Sequence, residues 1–467
     1  MSPRTAALTE GPIARTLLVF ALPMLAGNVL QSLNGSVNAI WVGGYLGEAA
    51  LTATSNSNTV MFLLIGSIFG VSMAATILIA QHLGARRTGE ARRVVGSSAS
   101  FFALVSVAIA LLGVAFSDRI LAAMQTPPDA MPLAHDYLRI IFVAIPFIFM
   151  YAFVMAVLRG AGDSRTPFFF LLLSVGLDIL LNPLFIFGVG PLPRLGIAGS
   201  ALATLVANIA SLVALVAYLY RKRHPLVLHR GELHLLRIDR AITATLVKKG
   251  VPMGLQMVVV SVSAILMLGL INQFGSHTTA GFAACMQVWS YVQMPAFAMG
   301  AAVSSMAAQN VGAGRWDRVA QVARAGVGYQ TVVTAVSVVL IAVFARPLLG
   351  IFLPAGSPAL DTAVHLNLIA TWSFIFFGVT MVLFGVIRST GAVVMPLIIL
   401  IVTLWVVRFP AAASLMGRYG EDAIWWSFPA SSLLSMVFAL LYYRHGEWRK
   451  ARMTPAVTAE PPPPASA

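Results

Sequence analysis

Apolar segments long enough to cross a lipid bilayer recur along almost the whole chain. A helix needs about 20 residues to span the ~30 Å hydrocarbon layer. Twelve segments reach that range, at roughly 16–40, 51–80, 94–116, 136–157, 167–189, 196–220, 242–272, 279–307, 321–345, 362–386, 393–416 and 424–443. Of the 467 residues, 59% are hydrophobic and only 10% are charged, whereas about a quarter of a soluble domain is charged. The sequence therefore predicts an all-α membrane protein with twelve transmembrane helices.

Positive charge is distributed unevenly over the loops that join these segments. If the segments cross the membrane alternately, 24 of the 30 Lys and Arg residues fall on the side that holds both termini, five fall on the other side, and Arg408 lies within a segment. Cytoplasmic loops carry such an excess of Lys and Arg. We therefore predict a multi-pass protein of the bacterial plasma (inner) membrane with both termini in the cytoplasm. The same distribution accounts for the net charge of +14 without a nucleic acid partner.

The chain repeats short motifs at one nearly constant offset. Ala21-Leu22-Pro23-Met24 resembles Gly250-Val251-Pro252-Met253, and Ala80-Gln81 recurs as Ala308-Gln309 at almost the same separation. Six spans is an even number, so two such repeats enter the membrane in the same direction and form parallel lobes around a substrate cleft. The predicted parts are a cytoplasmic N-terminus 1–15, an N-lobe 16–220, a cytoplasmic linker 221–241, a C-lobe 242–446 and a disordered cytoplasmic tail 447–467.

One carboxylate lies deep inside a predicted span, whereas the other 15 acidic residues fall in loops, at span ends or in the tails. Asp178 is about 11 residues past Pro167, which places it ~16 Å into the hydrocarbon layer. Ser174, Asp178 and Asn182 form one polar stripe on one helix face. An ionised carboxylate at that depth costs several kcal/mol unless it is paired or hydrated. The functional interpretation is an ion-coupling site, and the structural alternative is a protonated Asp bonded to a neighbouring helix.

Other polar residues within the spans predict a lining for the substrate cleft, although each could instead bond one helix to another. They are Gln31, Asn34, Asn56, Asn58, Gln287, Gln293 and Arg408. Arg408 could bind an anionic group or Asp178, or it could cap backbone carbonyls loosened by Pro410. Pro23 and Pro252 lie inside helical runs, where proline loosens the helix, and are predicted conformational hinges.

The sequence lacks enzymatic signatures. No Gly-Lys phosphate loop marks an ATPase, and His82 and His277 have no metal-ligand partners at helical spacing. An enzyme that used Asp178 would have no second catalytic group at that depth. The single cysteine, Cys285, excludes an intramolecular disulfide and a thiolate metal cluster. We therefore predict a transporter that is not an enzyme, has no cofactor or bound metal, and is driven by an H⁺ or Na⁺ gradient.

Residues 13–446 resemble the multidrug and toxic compound extrusion (MATE) family. The matching motifs are Pro23, Val42-Gly43-Gly44, Ala80-Gln81 through Gly84-Ala85, Arg159 through Asp163, Asn182 through Gly188 and Gly196 through Thr204. The resemblance implies two six-helix lobes around a V-shaped cleft and export of cationic or amphipathic drugs in exchange for Na⁺ or H⁺. Small organic substrates and the bilayer are then the partners of a protein expected to be monomeric. The alternative, a flippase for lipid-linked saccharides, needs a cationic cleft, for which only Arg408 is available.

The chain departs from the family at the site that this resemblance implies. The family often has an acid late in span 1, where this chain has Asn38, and Asn followed by Asp in span 5, where this chain has Asp178 followed by Asn182. Thr204 matches a Thr that helps to line the N-lobe site. The implied ion-coupling set is Asp178 with Asn182, Asn38, Thr204 and Ser174. Asn38 lies ~34 Å along a straight helix from Arg15, so it reaches Asp178 only if span 1 tilts or bends at Pro23.

Overall fold

The computed structural model describes residues 8–188, 193–354 and 356–453, and no strand occurs in these ranges. The predicted all-α fold is confirmed, with twelve transmembrane segments in the described part of the chain. They are α1 (Ile13–Leu46), α2 (Glu48–Gly84), α3 (Thr88–Ala123), α4 (Met131–Gly160), α5 (Arg165–Phe187), α6 (Ile197–Arg221), α7 (Arg240–Ile271), α8 (Ser276–Gly312), α9 (Trp316–Val343), α10 (Pro358–Ala370 continued by Ser373–Arg388), α11 (Val394–Tyr419) and α12 (Asp422–His445).

The length and apolar character of most of these helices suit them to a bilayer. Nine described helices are long and apolar enough to cross a membrane, and the bent pair that forms α10 makes ten. The other two, α2 and α8, contact helices of both halves of the molecule. Large side chains on α3, such as Leu104, Leu111 and Leu112, are exposed, as expected for a surface that faces lipid.

The helices form two repeated lobes, an N-lobe of α1 to α6 and a C-lobe of α7 to α12. α5 begins at Arg165 and α11 begins at Val394, and this offset equals the one that separates Pro23 from Pro252. The lobes meet mainly where α2 packs on α7 and α8 and where α1 packs on α8 and α9. The interface is therefore built chiefly from the first two helices of each repeat.

Both ends of the described chain lie at one end of the molecule, which we call the terminal face. The terminal face is defined by Leu8, Gly84, Gly160, Gly312, Ser389 and Trp448. Gln81 Nε2 donates to the Ser389 carbonyl oxygen of the other lobe (2.6 Å), and Gln309 Nε2 donates to that of Gly160 (2.9 Å). The repeated Ala-Gln motif thus makes the same contact twice, in opposite directions across the interface.

Two glycines allow α2 and α8 to cross at the terminal face. A Cβ on Gly84 would lie 1.9 Å from the carbonyl oxygen of Gln309, and a Cβ on Gly312 would lie 1.9 Å from that of Gln81. Small residues permit such backbone contact between membrane helices. Among the described residues, the side-chain hydrogen bonds between the lobes all lie at this end. The cleft is therefore closed at the terminal face.

Two C-lobe segments predicted as regular spans are irregular. α10 bends by 48° near Thr371, whose Oγ1 accepts a hydrogen bond from Trp289 Nε1 (2.9 Å). Ile401–Arg408 of α11 is π-helical and ends shortly before Pro410. The ring of a proline clashes with the carbonyl of the preceding turn, and a wider turn relieves that clash. By contrast, α1 and α7 continue through Pro23 and Pro252, whose hinge role stays a prediction.

The linker between the lobes packs on the terminal face. It contains a 3₁₀ helix, Arg230–Leu236, that contacts α3. Arg92 Nη1 lies 2.7 Å from Glu232 Oε1. The backbone N–H of His229 and the Arg92 guanidinium lower the pKa of the Glu232 carboxyl to about 2.

The chain end continues the C-lobe beyond the predicted boundary at 446. Residues 447–453 of the tail predicted to be disordered pack on the C-lobe, where Trp448 is buried and its carbonyl oxygen accepts a hydrogen bond from Thr390 Oγ1 (2.7 Å). Residues 454–467 lie outside the described residues.

We predict that Gly312→Ala opens the terminal face, because its Cβ cannot fit 1.9 Å from the Gln81 carbonyl oxygen. Overpacking of this kind costs about 1–3 kcal/mol, so the ratio of closed to open molecules should fall by roughly 5- to 150-fold. Spin labels at Glu90→Cys and Asp317→Cys in a Cys285→Ser background would report the distance across the terminal face. Gly328→Ala on α9 is the control, since a Cβ there has no neighbour within 4 Å. Unchanged distances in Gly312→Ala would contradict the prediction.

Candidate functional site

Asp178 is buried within the N-lobe and is held by neutral donors from two other helices. Asn34 Nδ2 and Asn38 Nδ2 of α1 donate to its Oδ2 at 3.0 and 2.9 Å. Thr204 Oγ1 of α6 donates to its Oδ1 at 3.0 Å. Among the described residues, no Lys, Arg or His nitrogen lies within 4.0 Å of the carboxylate. The site therefore solvates a carboxylate without compensating its charge.

The helical spacing of these residues explains how they come together. Asn34 and Asn38 are one helical turn apart, so they share one face of α1, and that face packs on α5. The structure buries the predicted stripe of Ser174, Asp178 and Asn182 on α5. Asn38 does reach Asp178, which required span 1 to tilt or bend.

Asn182 extends the hydrogen-bonded network and leaves part of it unsatisfied. Its Nδ2 donates to Asn38 Oδ1 (3.0 Å) and to the Asp178 carbonyl oxygen (2.9 Å). The Oδ1 atoms of Asn34 and Asn182 are buried and have no hydrogen-bond partner in the described part of the chain. Buried amide oxygens normally accept a bond, so these two atoms could complement a bound cation or donor beside the carboxylate.

A cavity of about 360 Å³ opens beside this network, and we call it the N-lobe cavity. The predicted residues Gln31, Asn34, Asn38, Asn58, Ser174, Asp178, Thr204 and Pro23 line it, whereas Pro252 does not. The rest of the wall mixes Met, aliphatic and aromatic side chains, which accommodate varied apolar groups. The arrangement can hold an organic cation near Asp178.

Several residues of this wall were not predicted from the sequence. Tyr137 and Tyr151 lie on one face of α4, and Arg159 follows at its end. Asn208 lies one turn beyond Thr204, and its Nδ2 donates to the Thr204 carbonyl oxygen (2.8 Å). Thr204 and Asn208 are polar residues four positions apart within a span, like Ser174 and Asp178, and this pattern could have been recognised in the sequence. Tyr137 and Tyr151 show no comparable pattern.

Some predicted cleft residues lie elsewhere. Asn56 Nδ2 donates to Thr126 Oγ1 (3.1 Å) and so bonds α2 to the loop after α3, which was the alternative interpretation. Gln287 is exposed on α8 and lines neither the N-lobe cavity nor the smaller cavity within the C-lobe, which is bordered by Trp289 and Arg408. The suggestion that Arg408 pairs with Asp178 is wrong, because Arg408 Nε donates to Ser431 Oγ within the C-lobe (2.7 Å).

Two repeated six-helix lobes joined at one end, with a polar cavity among the transmembrane helices, define a membrane transporter. The MatE family profile matches residues 23–184 and 252–413, two stretches of equal length that begin at the repeated prolines Pro23 and Pro252. The chain therefore belongs to the MatE family, whose members are transporters and not enzymes, and the resemblance to multidrug and toxic compound extrusion proteins is confirmed.

Relatives match over nearly the full length of the chain. The chain is 36% identical to the probable multidrug resistance protein YoeA of Bacillus subtilis, over 94% of this chain and 95% of the relative. It is 32% identical to the probable multidrug resistance protein YpnP of the same organism, over 95% and 98%. A solved structure, described as the outward-facing conformation of a multidrug resistance MATE family transporter, superposes with a TM-score of 0.86 at 20% identity, over 95% and 98%. At that identity it establishes the fold.

We predict that Thr204→Val destabilises the N-lobe while Thr204→Ser does not. Valine keeps the shape of threonine but removes the donor to Asp178 Oδ1. A buried acceptor that loses its partner costs about 1–3 kcal/mol, and each kcal/mol lowers the Tm of a unit of about 150–250 residues by about 2–4 °C. The Tm values of the detergent-purified variants measure this effect. Equal Tm values for the Val and Ser variants would show that the bond contributes nothing.

Proposed function

We propose that this protein exports small organic cations and amphipathic compounds in exchange for a proton or a sodium ion, which binds at Asp178. The observation that carries the proposal is a buried carboxylate on the wall of a cavity of about 360 Å³, whose hydrogen-bond donors among the described residues are all neutral. Such a group needs a cation to compensate its charge in the membrane. The coupling ion and a cationic substrate can each supply that charge, so the two compete.

The relatives support the substrate class. YoeA and YpnP carry the description of probable multidrug resistance proteins, and Staphylococcus aureus has a multidrug export protein, MepA, that is 22% identical over 93% of this chain. A flippase for lipid-linked saccharides, the alternative considered above, is not favoured by these relatives. The pyrophosphate of such a lipid would also be repelled by the Asp178 carboxylate in the N-lobe cavity.

The positive-inside rule orients the molecule. The loops at the terminal face carry most of the Lys and Arg residues. This excess supports the inference that the terminal face and both termini are on the cytoplasmic side of a bacterial plasma membrane. Since the terminal face is closed, this conformation corresponds to the state that releases substrate outward. An ion that binds this state more tightly than the inward-open state would favour release, because a ligand shifts a conformational equilibrium only by its differential affinity.

We predict that Asp178→Asn abolishes gradient-driven efflux of ethidium from proteoliposomes, because asparagine cannot carry the exchanged charge. An inward Na⁺ gradient and an inward H⁺ gradient are imposed separately, and the gradient that drives efflux by the wild type names the coupling ion. Asp317→Asn, which alters an exposed acid at the start of α9, is the control and should transport normally. Wild-type efflux by correctly inserted Asp178→Asn protein would exclude the proposed role.

We also predict that Asn38→Asp raises the coupling stoichiometry from one cation per substrate to two. The new carboxylate would lie beside Asp178, where Asn38 Nδ2 is now 2.9 Å from Oδ2, and two adjacent carboxylates repel unless a second cation binds. The number of cations exchanged per substrate is measured from the steady-state substrate gradient that forms under a fixed ion gradient. Asn28→Asp is the control, since Asn28 lines the same cavity without contacting Asp178. An unchanged stoichiometry in Asn38→Asp would contradict the prediction.

A further inference from the structure

The C-lobe contains its own cavity, of about 140 Å³, which we call the C-lobe chamber. It is the counterpart of the N-lobe cavity in the second repeat. Residues that line the N-lobe cavity and residues that line the chamber are separated by the same offset as Pro23 and Pro252. Five such pairs are Gln31 and Val260, Asn38 and Met267, Tyr151 and Thr380, Leu171 and Leu400, and Val175 and Leu404. The two lobes therefore enclose equivalent spaces.

The chemistry of the two spaces is opposite. In the chamber, Val260 and Met267 occupy the positions of the amides Gln31 and Asn38, and no Asp or Glu is among the described residues of the wall. Aromatic rings form much of it, namely Phe282, Trp289, Phe374, Phe377 and Phe428, and adjacent centroids such as those of Trp289 and Phe374 lie 5.5 Å apart. The charged group is Arg408, one position beyond the repeat equivalent of Asp178.

Arg408 is only partly engaged by the protein. Its Nε donates to Ser431 Oγ (2.7 Å), and its Cζ lies 4.7 Å from the Phe428 ring centroid. Among the described residues, no carboxylate lies within 4.0 Å, and neither Nη atom has a hydrogen-bond acceptor. A guanidinium has five N–H donors in a planar fork that matches a carboxylate. The outer donors of this fork thus have no acceptor in the described protein, and Arg408 lines the chamber.

We propose that the C-lobe chamber binds a monocyclic aromatic carboxylate. An engineered cavity of ~150 Å³ accepts benzene, so a chamber of 140 Å³ has room for one ring. The ring would pack against the aromatic wall, and the carboxylate would pair bidentately with the Arg408 Nη groups. Val260 and Met286 line the chamber and are 38% and 37% exposed, so a ligand can enter past them. The transporter would thus bind cations in one lobe and aromatic anions in the other.

Calorimetric titration of the detergent-purified protein with benzoate tests this assignment. Benzyl alcohol keeps the ring without the charge, and acetate keeps the charge without the ring. We expect benzoate to bind and both probes to bind at least about tenfold more weakly, since benzyl alcohol lacks the charged hydrogen bonds and acetate lacks the ring contacts. Arg408→Gln should lose benzoate binding, and Arg408→Lys should regain part of it, because lysine supplies the charge without the fork.

Further variants separate this site from the N-lobe. Arg159→Gln removes the arginine of the N-lobe cavity, and Asp178→Asn removes the proposed coupling group, so both should bind benzoate like the wild type. If Arg408→Gln does not fold, Ala264→Phe decides the question, because it fills the chamber and leaves Arg408 unchanged. Equal affinity for acetate and benzoate, loss of binding in Arg159→Gln, or wild-type binding in Ala264→Phe would overturn the proposal.

Discussion

A carboxylate among transmembrane helices must be solvated by the protein, since lipid supplies no hydrogen bonds. In this chain α1 and α6 donate the hydrogen bonds to Asp178, which lies on α5. α1 contributes two amides, α6 contributes one hydroxyl, and α5 contributes the carboxylate with Asn182 one turn beyond it. All the described donors are neutral, so an ionised Asp178 would have no counter-charge among them. The packing of α1 and α6 on α5 brings these donors to the carboxylate at the edge of the N-lobe cavity.

The two lobes share one framework, but their inner surfaces differ. The contact between the lobes is the same in both repeats, since Gln81 bonds to Ser389 and Gln309 bonds to Gly160. The internal cavities have no such constraint. One is lined by amides around an Asp, and the other by aromatic rings beside an Arg. Symmetry is thus kept where the lobes touch and lost where ligands would bind.

Much of the fold followed from the sequence because apolar segments and their offset determine helix number, order and direction. The polar stripe on α5 likewise indicated which face of that helix is buried. The bend of α10 and the π-helical turns of α11 were not predictable, because they depend on local contacts of Thr371 and on Pro410 rather than on hydropathy. The partners of Arg408 and Asn56 could not be assigned either, since an amide or guanidinium within a span suits a cavity and a neighbouring helix equally well.

We propose that the coupling ion and the substrate bind in turn to one negative charge, that of Asp178. Equilibrium binding of tetraphenylphosphonium to the purified protein, measured across a series of Na⁺ concentrations and separately across a pH series, tests it directly. Competition for one site predicts that the apparent Kd rises in proportion to the coupling-ion concentration, with a logarithmic slope of about one at high concentration. A slope near zero for both ions, in protein that binds the substrate, would contradict the shared carboxylate.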